Sequence, residues 1–172
     1  GQSHFDPREK LTLHHHASGR YSIEFTDGLS LEFMPAAAGQ WRLPMVSMQD
    51  RHGNAITLHH PHYPSVDAVA VDAQPQRPHS LTDSSGRTLQ FTWDTQGLLT
   101  EVSLAPRVLD GAPQSGGMLV RYQYDVQGNE SGDLLANLVS ATDAMGGTTH
   151  YRYQNHLLVS YTTKAGFSHH QA

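Results

Sequence analysis

Cysteine is absent from the 172 residues, which excludes disulfides, thiolate metal sites and a cysteine nucleophile. Charge is sparse: Asp, Glu, Lys and Arg make up 16% of the chain, and 11 basic against 16 acidic residues leave a formal net charge of −5. That sign argues against a sequence-independent grip on phosphates, so nucleic acid is not expected among the partners. Long hydrophobic runs are lacking too. Stretches such as Leu134 to Ala136 and Leu138 to Val139 are broken by polar residues far short of a spanning helix, so no membrane span is expected. The segment Gly1-Gln2-Ser3-His4-Phe5-Asp6-Pro7 has no basic region, apolar run or cleavage site, and export would have to proceed without a visible signal peptide. What is present suffices for a fold. The 37% hydrophobic residues and 15 Gly approach the globular average, and the length fits one domain, 1–172.

Apolar residues alternate with polar ones at strand period, and no long stripe has helical spacing. Tyr21, Ile23 and Phe25 alternate with Ser22 and Glu24; Leu29, Leu31 and Phe33 follow the hairpin signal Asp27-Gly28. The pattern returns at Ile56 and Leu58, at Leu89, Phe91 and Trp93, at Val120, Tyr122 and Tyr124, and at Thr149, Tyr151 and Tyr153. Aromatic and β-branched residues dominate these runs, as pleated surfaces prefer.

Between the runs a tetrapeptide recurs. It is Asp50-Arg51-His52-Gly53, Asp83-Ser84-Ser85-Gly86, Asp94-Thr95-Gln96-Gly97, Asp125-Val126-Gln127-Gly128 and Asp143-Ala144-Met145-Gly146. Chance predicts roughly one Asp-x-x-Gly in this composition, against the five found. The physical cause is a turn: the first-position carboxylate accepts a backbone N–H two residues on, and the fourth-position Gly takes the left-handed conformation of a bulged hairpin. Asp50, Gly53, Asp83, Gly86, Asp94, Gly97, Asp125, Gly128, Asp143 and Gly146 are therefore expected to be structural corner residues. At an offset of sixty, Thr82-Asp83 aligns with Thr142-Asp143, Phe91 with Tyr151 and Trp93 with Tyr153. A degenerate box, Thr163-Lys164-Ala165-Gly166, follows about twenty residues later, so the unit is a hairpin that its neighbours must stabilise. The fold expected is all-β, a curved antiparallel sheet of successive β-hairpins. Pro-rich or Gly-rich stretches at 61–79 and 105–117 read as loops. The stretch 130–137 reads as a third, with Leu134 and Leu135 in a short helical turn.

Tyr124-Asp125-Val126-Gln127-Gly128, together with the run from Val139 through Thr142-Asp143-Ala144-Met145-Gly146 to Tyr151-Arg152-Tyr153, resembles the tyrosine-aspartate (YD) repeat of bacterial Rhs proteins. The same repeat occurs in toxin-complex C subunits and teneurins. The segments Trp41-Arg42-Leu43 to Ile56 and Thr82 to Arg87 are similar to the opening repeats of Rhs proteins in particular, and the likeness runs from about Leu11 to Phe167. It implies a hairpin ribbon spiralling into a hollow shell around a toxic polypeptide, delivered by type VI secretion or a related route in competition between bacteria. The implied partners are the toxin domain of the same full-length polypeptide and secretion-spike proteins. The implied location is that of a secreted effector component made in the bacterial cytoplasm. Trp93 stands where the family has Tyr, Gln154 where it has Asp, and Thr163 where the last box has Asp; these copies are expected to turn less sharply. Asp6-Pro7-Arg8-Glu9 lacks the family's self-cleavage pattern, and Pro35-Ala36-Ala37-Ala38 matches a spike-tip motif only superficially.

Chemistry is expected to be sparse. His14 and His16 share one face of a strand and could share a metal, but no third ligand is in view; His59, His60 and His62 flank Pro61 at a strand end and are read the same way, so no metal or other cofactor is assigned. The box carboxylates could pair for glycoside cleavage, yet a residue recurring at every corner is explained by backbone satisfaction, whereas catalysis needs one perturbed pair. Ser84-Ser85 with His79 lacks a nucleophile elbow. No catalytic residue is assigned, and the chain is read as non-enzymatic. Phe91, Trp93, Tyr122, Tyr124, Tyr151 and Tyr153 are expected to form a structural aromatic ladder. The competing reading makes them, or the His-rich face, the grip of a carbohydrate- or protein-binding module. Open sheet edges would also permit self-association.

Overall fold

The computed structural model describes residues 1–36, 43–60, 77–109, 111–128 and 134–170. Among these residues there is no helix, and the all-β expectation holds. Fourteen strands form one antiparallel sheet in chain order, not closed into a barrel, with a separate two-stranded hairpin inserted between two of them. The chain gathers into two compact units, Gly1–Leu89 and Gln90–Ala172.

In the first unit, β1 (Gln2–Asp6), β2 (Leu11–His15), β3 (Tyr21–Phe25), β4 (Ser30–Phe33), β5 (Met45–Gln49), β6 (Ala55–His59) and β7 (Ser80–Asp83) pair in succession. The register sorts side chains by polarity. Leu13, Ile23, Leu31, Met48 and Ile56 stand opposite one another in a row across β2 to β6. One residue further along, the row is His14, Ser22, Glu32, Ser47, Thr57 and Thr82. Neighbouring residues of a strand face opposite ways, so one face of the sheet is apolar and the other is hydroxylic and charged. Each apolar cross-strand pair contributes about 0.2–1 kcal/mol, and a one-residue slip would mix the two faces.

The second unit holds most of β8 (Thr88–Trp93), then β9 (Leu99–Leu104), β10 (Arg107–Leu109), β11 (Ala112–Gln114), β12 (Gly117–Gly128), β13 (Leu134–Asp143), β14 (Thr148–Gln154), β15 (Leu157–Thr162) and β16 (Ser168–His170). β9 pairs with β12, and β10 and β11 pair only with each other. The expected loop at 105–117 is thus mostly this hairpin, made by the strand-forming Arg107-Val108-Leu109 and turned at Gly111 with φ 76°. Leu134 and Leu135 are strand residues rather than a helical turn, because Gly128 and Gln127 on β12 pair with them. Residues 61–76 and 130–133 of the other expected loops lie outside the described residues.

Seven corners share one construction. At His16, Phe25, Asp50, Asp83, Asp94, Asp143 and Thr163, the first residue's N–H donates to the carbonyl of the fifth, and the fourth residue, always Gly, donates to the carbonyl of the first. Those glycines have φ between 78° and 89°, the left-handed region where a Cβ is costly. The corner at Thr163 is as tight as the rest, with bonds of 2.8 and 2.9 Å. The expectation that this copy turns less sharply is corrected, because Gly166 and the backbone, not the first side chain, close the loop. The box Asp125–Gly128 makes no corner: Asp125 pairs with Asn137 and Gly128 with Leu134 inside a continuous ladder. There the alternation of Tyr122, Tyr124 and Val126 finds partners on β13, and pairing outcompetes the turn.

No described apolar side chain is buried; the buried side chains are four serines, Ser22, Ser80, Ser140 and Ser160. Each lies three residues before a corner's first residue. They sit on the polar face, where longer neighbours roof a small side chain: His16 Nε2 lies 2.8 Å from Ser22 Oγ, and Ser140 Oγ donates to Gln123 Oε1 at 2.9 Å. Just before Ser140 and Ser160, and before Ser47 at the same distance from the Asp50 corner, Val139, Val159 and Val46 are the extra residues of β-bulges in β13, β15 and β5, which increase the local twist.

Candidate functional site

The corner carboxylates are built into the backbone. The Oδ1 of Asp50 accepts the N–H of His52 at 2.8 Å and of Asn54 at 2.9 Å. The Oδ1 of Asp83 accepts those of Ser85 and Arg87 at 2.9 and 3.0 Å, that of Asp94 accepts Gln96 and Leu98 at 2.9 and 2.8 Å, and that of Asp143 accepts Met145 and Gly147 at 2.9 Å each. Side chains complete several of these shells. The Asn54 amide holds the Asp50 carboxyl below its usual range, the Ser85 hydroxyl leads the same effect at Asp83, and the Lys164 ammonium does so at Asp143. A carboxylate accepting two or three such bonds is fixed in its ionised form, which suits a corner and not a proton shuttle. Asp125, in mid-strand, is placed apart from this group.

Successive corners along one margin of the first unit also touch. The N–H of Thr26 donates to the Lys10 carbonyl at 3.1 Å and that of Ser84 to the Ala55 carbonyl at 2.9 Å. A Cβ on Gly28 would lie 2.6 Å from the Arg51 Cβ. Leu29, Met48, Asn54, Ile56, Asp83 and Arg87 are among the residues around a groove of about 470 Å³ beside these corners. Its two carboxylates, Asp50 and Asp83, are those already committed to backbone N–H groups.

On the polar face His14 of β2 and His16, just past its end, stack with ring centroids 6.1 Å apart. His14 Nδ1 lies 2.8 Å from Ser3 Oγ and its Nε2 3.3 Å from Glu24 Oε2. This places a hydroxyl, an imidazole and a carboxylate across three strands, with Ser3 directly opposite His14 and Glu24 diagonal to it, on an exposed surface rather than around a cavity. Among the described residues, no group of three His, Cys, Asp or Glu side chains is placed to hold a metal ion. His59 and His79 approach with ring centroids 6.3 Å apart, while His60 Nε2 lies 3.0 Å from the Met45 carbonyl; His62 is outside the described residues. Ser84 and Ser85 stand at an exposed corner, where the Ser85 hydroxyl donates to Asp83 at 2.7 Å.

The six aromatics of the expected ladder occupy three strands: Phe91 and Trp93 on β8, Tyr122 and Tyr124 on β12, Tyr151 and Tyr153 on β14. All are half-buried, alternating with the exposed Thr92, Gln123 and Arg152. The Tyr124 hydroxyl donates to the Leu99 carbonyl at 2.9 Å, and burial, with Tyr122 and Asp94 nearby, pushes its pKa up. Apart from Tyr151, the ring contacts run through residues outside the expected ladder. Tyr151 meets Tyr161 at 6.5 Å, Tyr161 stacks on His169 at 4.7 Å, and His15 stacks on Tyr21 at 4.5 Å. The cross-strand partners Tyr151 and Tyr161 are ten residues apart, a spacing that the hairpin repeat could have revealed.

A second cavity, of about 350 Å³, opens in the second unit beside Tyr151 and Tyr153. Val139, the bulge residue of β13, lines it, and Asp125, Asn137, Asn155 and His156 supply polar groups around it. Asn155 and His156 are the two residues joining β14 to β15, with φ of 50° and 62°, the conformation of a type I′ hairpin turn. His156 Nδ1 lies 3.2 Å from Asn137 Oδ1, which ties this turn to β13.

No helix among the described residues is long and apolar enough to cross a membrane. Compared with known proteins, the chain matches no family model and no curated protein.

Proposed function

We propose that this chain is a non-catalytic wall segment of an Rhs-type shell, whose task is to enclose a toxic polypeptide until delivery. The observation that carries the reading is a ladder of hairpins in chain order, one layer thick, in which no described apolar side chain is buried. An isolated domain buries its apolar face against a second layer; a sheet that does not is suited to be a layer of something larger. The mechanism is steric. Corner carboxylates bonded to backbone N–H groups rigidify the margin, the ladder of strands bars passage, and the face left uncovered meets the next turn of wall or the cargo. The partners are then the toxin region of the same full-length polypeptide and, at delivery, the proteins of a secretion spike. The product is an exported effector made in the bacterial cytoplasm.

The test is limited proteolysis of the complete polypeptide that carries this segment, with and without Gly86→Pro and Gly146→Pro substitutions that break two corners. Encapsulation predicts a cargo region resistant to trypsin in the parent, cleaved in the variant, and harmful to the producing cell once exposed. A cargo region equally resistant in both, or a polypeptide with no region that harms cells, overturns the proposal.

A further inference from the structure

We infer that the cavity beside Tyr151 and Tyr153 is a binding site for one ring of a neutral saccharide, a role independent of wall building. Its size comes first: about 350 Å³ lies at the small end of the range for ligand pockets, enough for a single sugar ring and little more. Two half-buried tyrosines two residues apart on β14 line it, supplying aromatic surface of the kind against which the C–H groups of a pyranose pack. Tyr151 does not stand alone, since Tyr161 and His169 brace it in a row of rings. Rigid aromatic surface of this kind loses little entropy when a ligand arrives.

The rim supplies what the hydroxyls of a sugar need. Asn137 and Asn155 offer amides that both donate and accept, beside the Asp125 carboxylate. The contact of His156 Nδ1 with Asn137 Oδ1 leaves His156 Nε2 and the Asn137 amide N–H pair as further polar groups at the rim. The site also shows local cost. Two consecutive non-glycine residues, Asn155 and His156, take positive φ, and bulges fall at Val139 and Val159 on the strands either side of β14. Such features gather where side chains are re-aimed for a purpose. Charge decides the class of saccharide. The lining holds neither Lys nor Arg, so nothing in it would pair with the sulfate or carboxylate of a charged ring, and neutral hexoses or N-acetylhexosamines are preferred.

The test is a titration of the isotope-labelled chain with methyl glucoside, methyl galactoside, methyl N-acetylglucosaminide and a sulfated disaccharide, followed by amide chemical shifts. At least one neutral glycoside should shift resonances of residues 137, 139 and 151–156 in a saturable way. Tyr153→Ala should weaken binding by about ten-fold, and Tyr153→Phe by much less. Asn155→Gly, which suits the positive φ and leaves the turn intact, should also weaken it several-fold. Met145→Ala, at an exposed corner outside the cavity, should change nothing. Absence of saturable shifts with all three neutral glycosides at tens of millimolar overturns the inference. So does tighter binding of the sulfated sugar, or binding that survives both Tyr153→Ala and Asn155→Gly.

Discussion

Thr163 is the natural place to ask whether corner carboxylates are structural. Its corner has the same two backbone bonds as the others, yet its Oγ1 is buried without a hydrogen-bond partner. At Asp94 and Asp143, by contrast, one carboxylate oxygen accepts the N–H groups of the third and fifth residues. Thr163→Asp should supply that acceptor to Ala165 and Phe167. The gain resembles a helix N-cap, where a side-chain oxygen satisfies an orphan N–H for about 1 kcal/mol; a second bond and the relief of the orphaned hydroxyl raise it, and desolvating the carboxylate lowers it. About 1–2 kcal/mol remains, which for a chain of this length raises the melting temperature by roughly 2–8 °C. The measurement is thermal and urea unfolding of the parent, Thr163→Asp and Thr163→Asn at pH 7 and pH 2.5. An ionised corner carboxylate has its pKa lowered in the folded state. Its contribution is therefore complete above the unfolded value near 4 and lost as pH falls through the folded value. Thr163→Asp should thus exceed Thr163→Asn at pH 7 and lose that margin at pH 2.5. Equal stability of the two variants at pH 7, or a margin undiminished in acid, would falsify the reasoning.

The corner glycines permit a cleaner separation of backbone strain from crowding. Gly86 has φ 79° with nothing within 4 Å of a built Cβ, so Gly86→Ala should cost about 1–2 kcal/mol and Gly86→Asn less. Gly117, equally open and without a positive φ, should accept Ala at no cost, and urea midpoints that rank Gly117→Ala with Gly86→Ala would contradict this. The acid limb of stability should belong to Asp50, Asp83 and Asp143, whose carboxyls are all held below the ordinary range. Stability should be flat from neutrality to about pH 4 and fall as pH drops through their lowered pKa values. Lys164→Met removes the leading cause at Asp143, so carboxyl titration by NMR should find that group, and not Asp83, moved upward.

Much of the architecture was legible because strand periodicity and corner chemistry are local. Leu13, Ile23, Leu31 and Phe33 alternate in sequence and face one way in the sheet, and four of the five Asp-x-x-Gly boxes form the bulged corner their residues favour. The fifth misled for a physical reason. A corner box states what a chain can do once its strands end, and at Asp125 the strand continued because Asn137 and Ala136 were there to pair with it. The corner at His16 was missed, and the one at Phe25 was read as a hairpin at Asp27-Gly28 but not as a copy of the box, for the converse reason: the sign read was a first-position Asp, whereas the requirement is only the fourth-position Gly, with the first residue free to be His, Phe or Thr.

The polar face was less legible, although its signal was present. Val46-Ser47, Val139-Ser140 and Val159-Ser160 each lie four and three residues before a corner, and each Val is a bulge. In the Ser80, Ser140 and Ser160 copies, Thr follows two residues later, and its hydroxyl meets one across the corner: Thr82 with Thr88 at 3.0 Å, Thr142 with Thr148 and Thr162 with Ser168 at 2.9 Å. Binary patterning scores Ser and Thr alike as solvent-facing and passes over them. In a single layer the smallest residues are instead the most enclosed, because longer neighbours reach over them, as His16 does over Ser22 and Gln123 over Ser140. The cavity beside Tyr153 was still harder to foresee. It depends on which residue the bulge at Val139 leaves unpaired and on a turn at Asn155-His156 that has no glycine, both settled by register between strands and not by any one strand's own pattern.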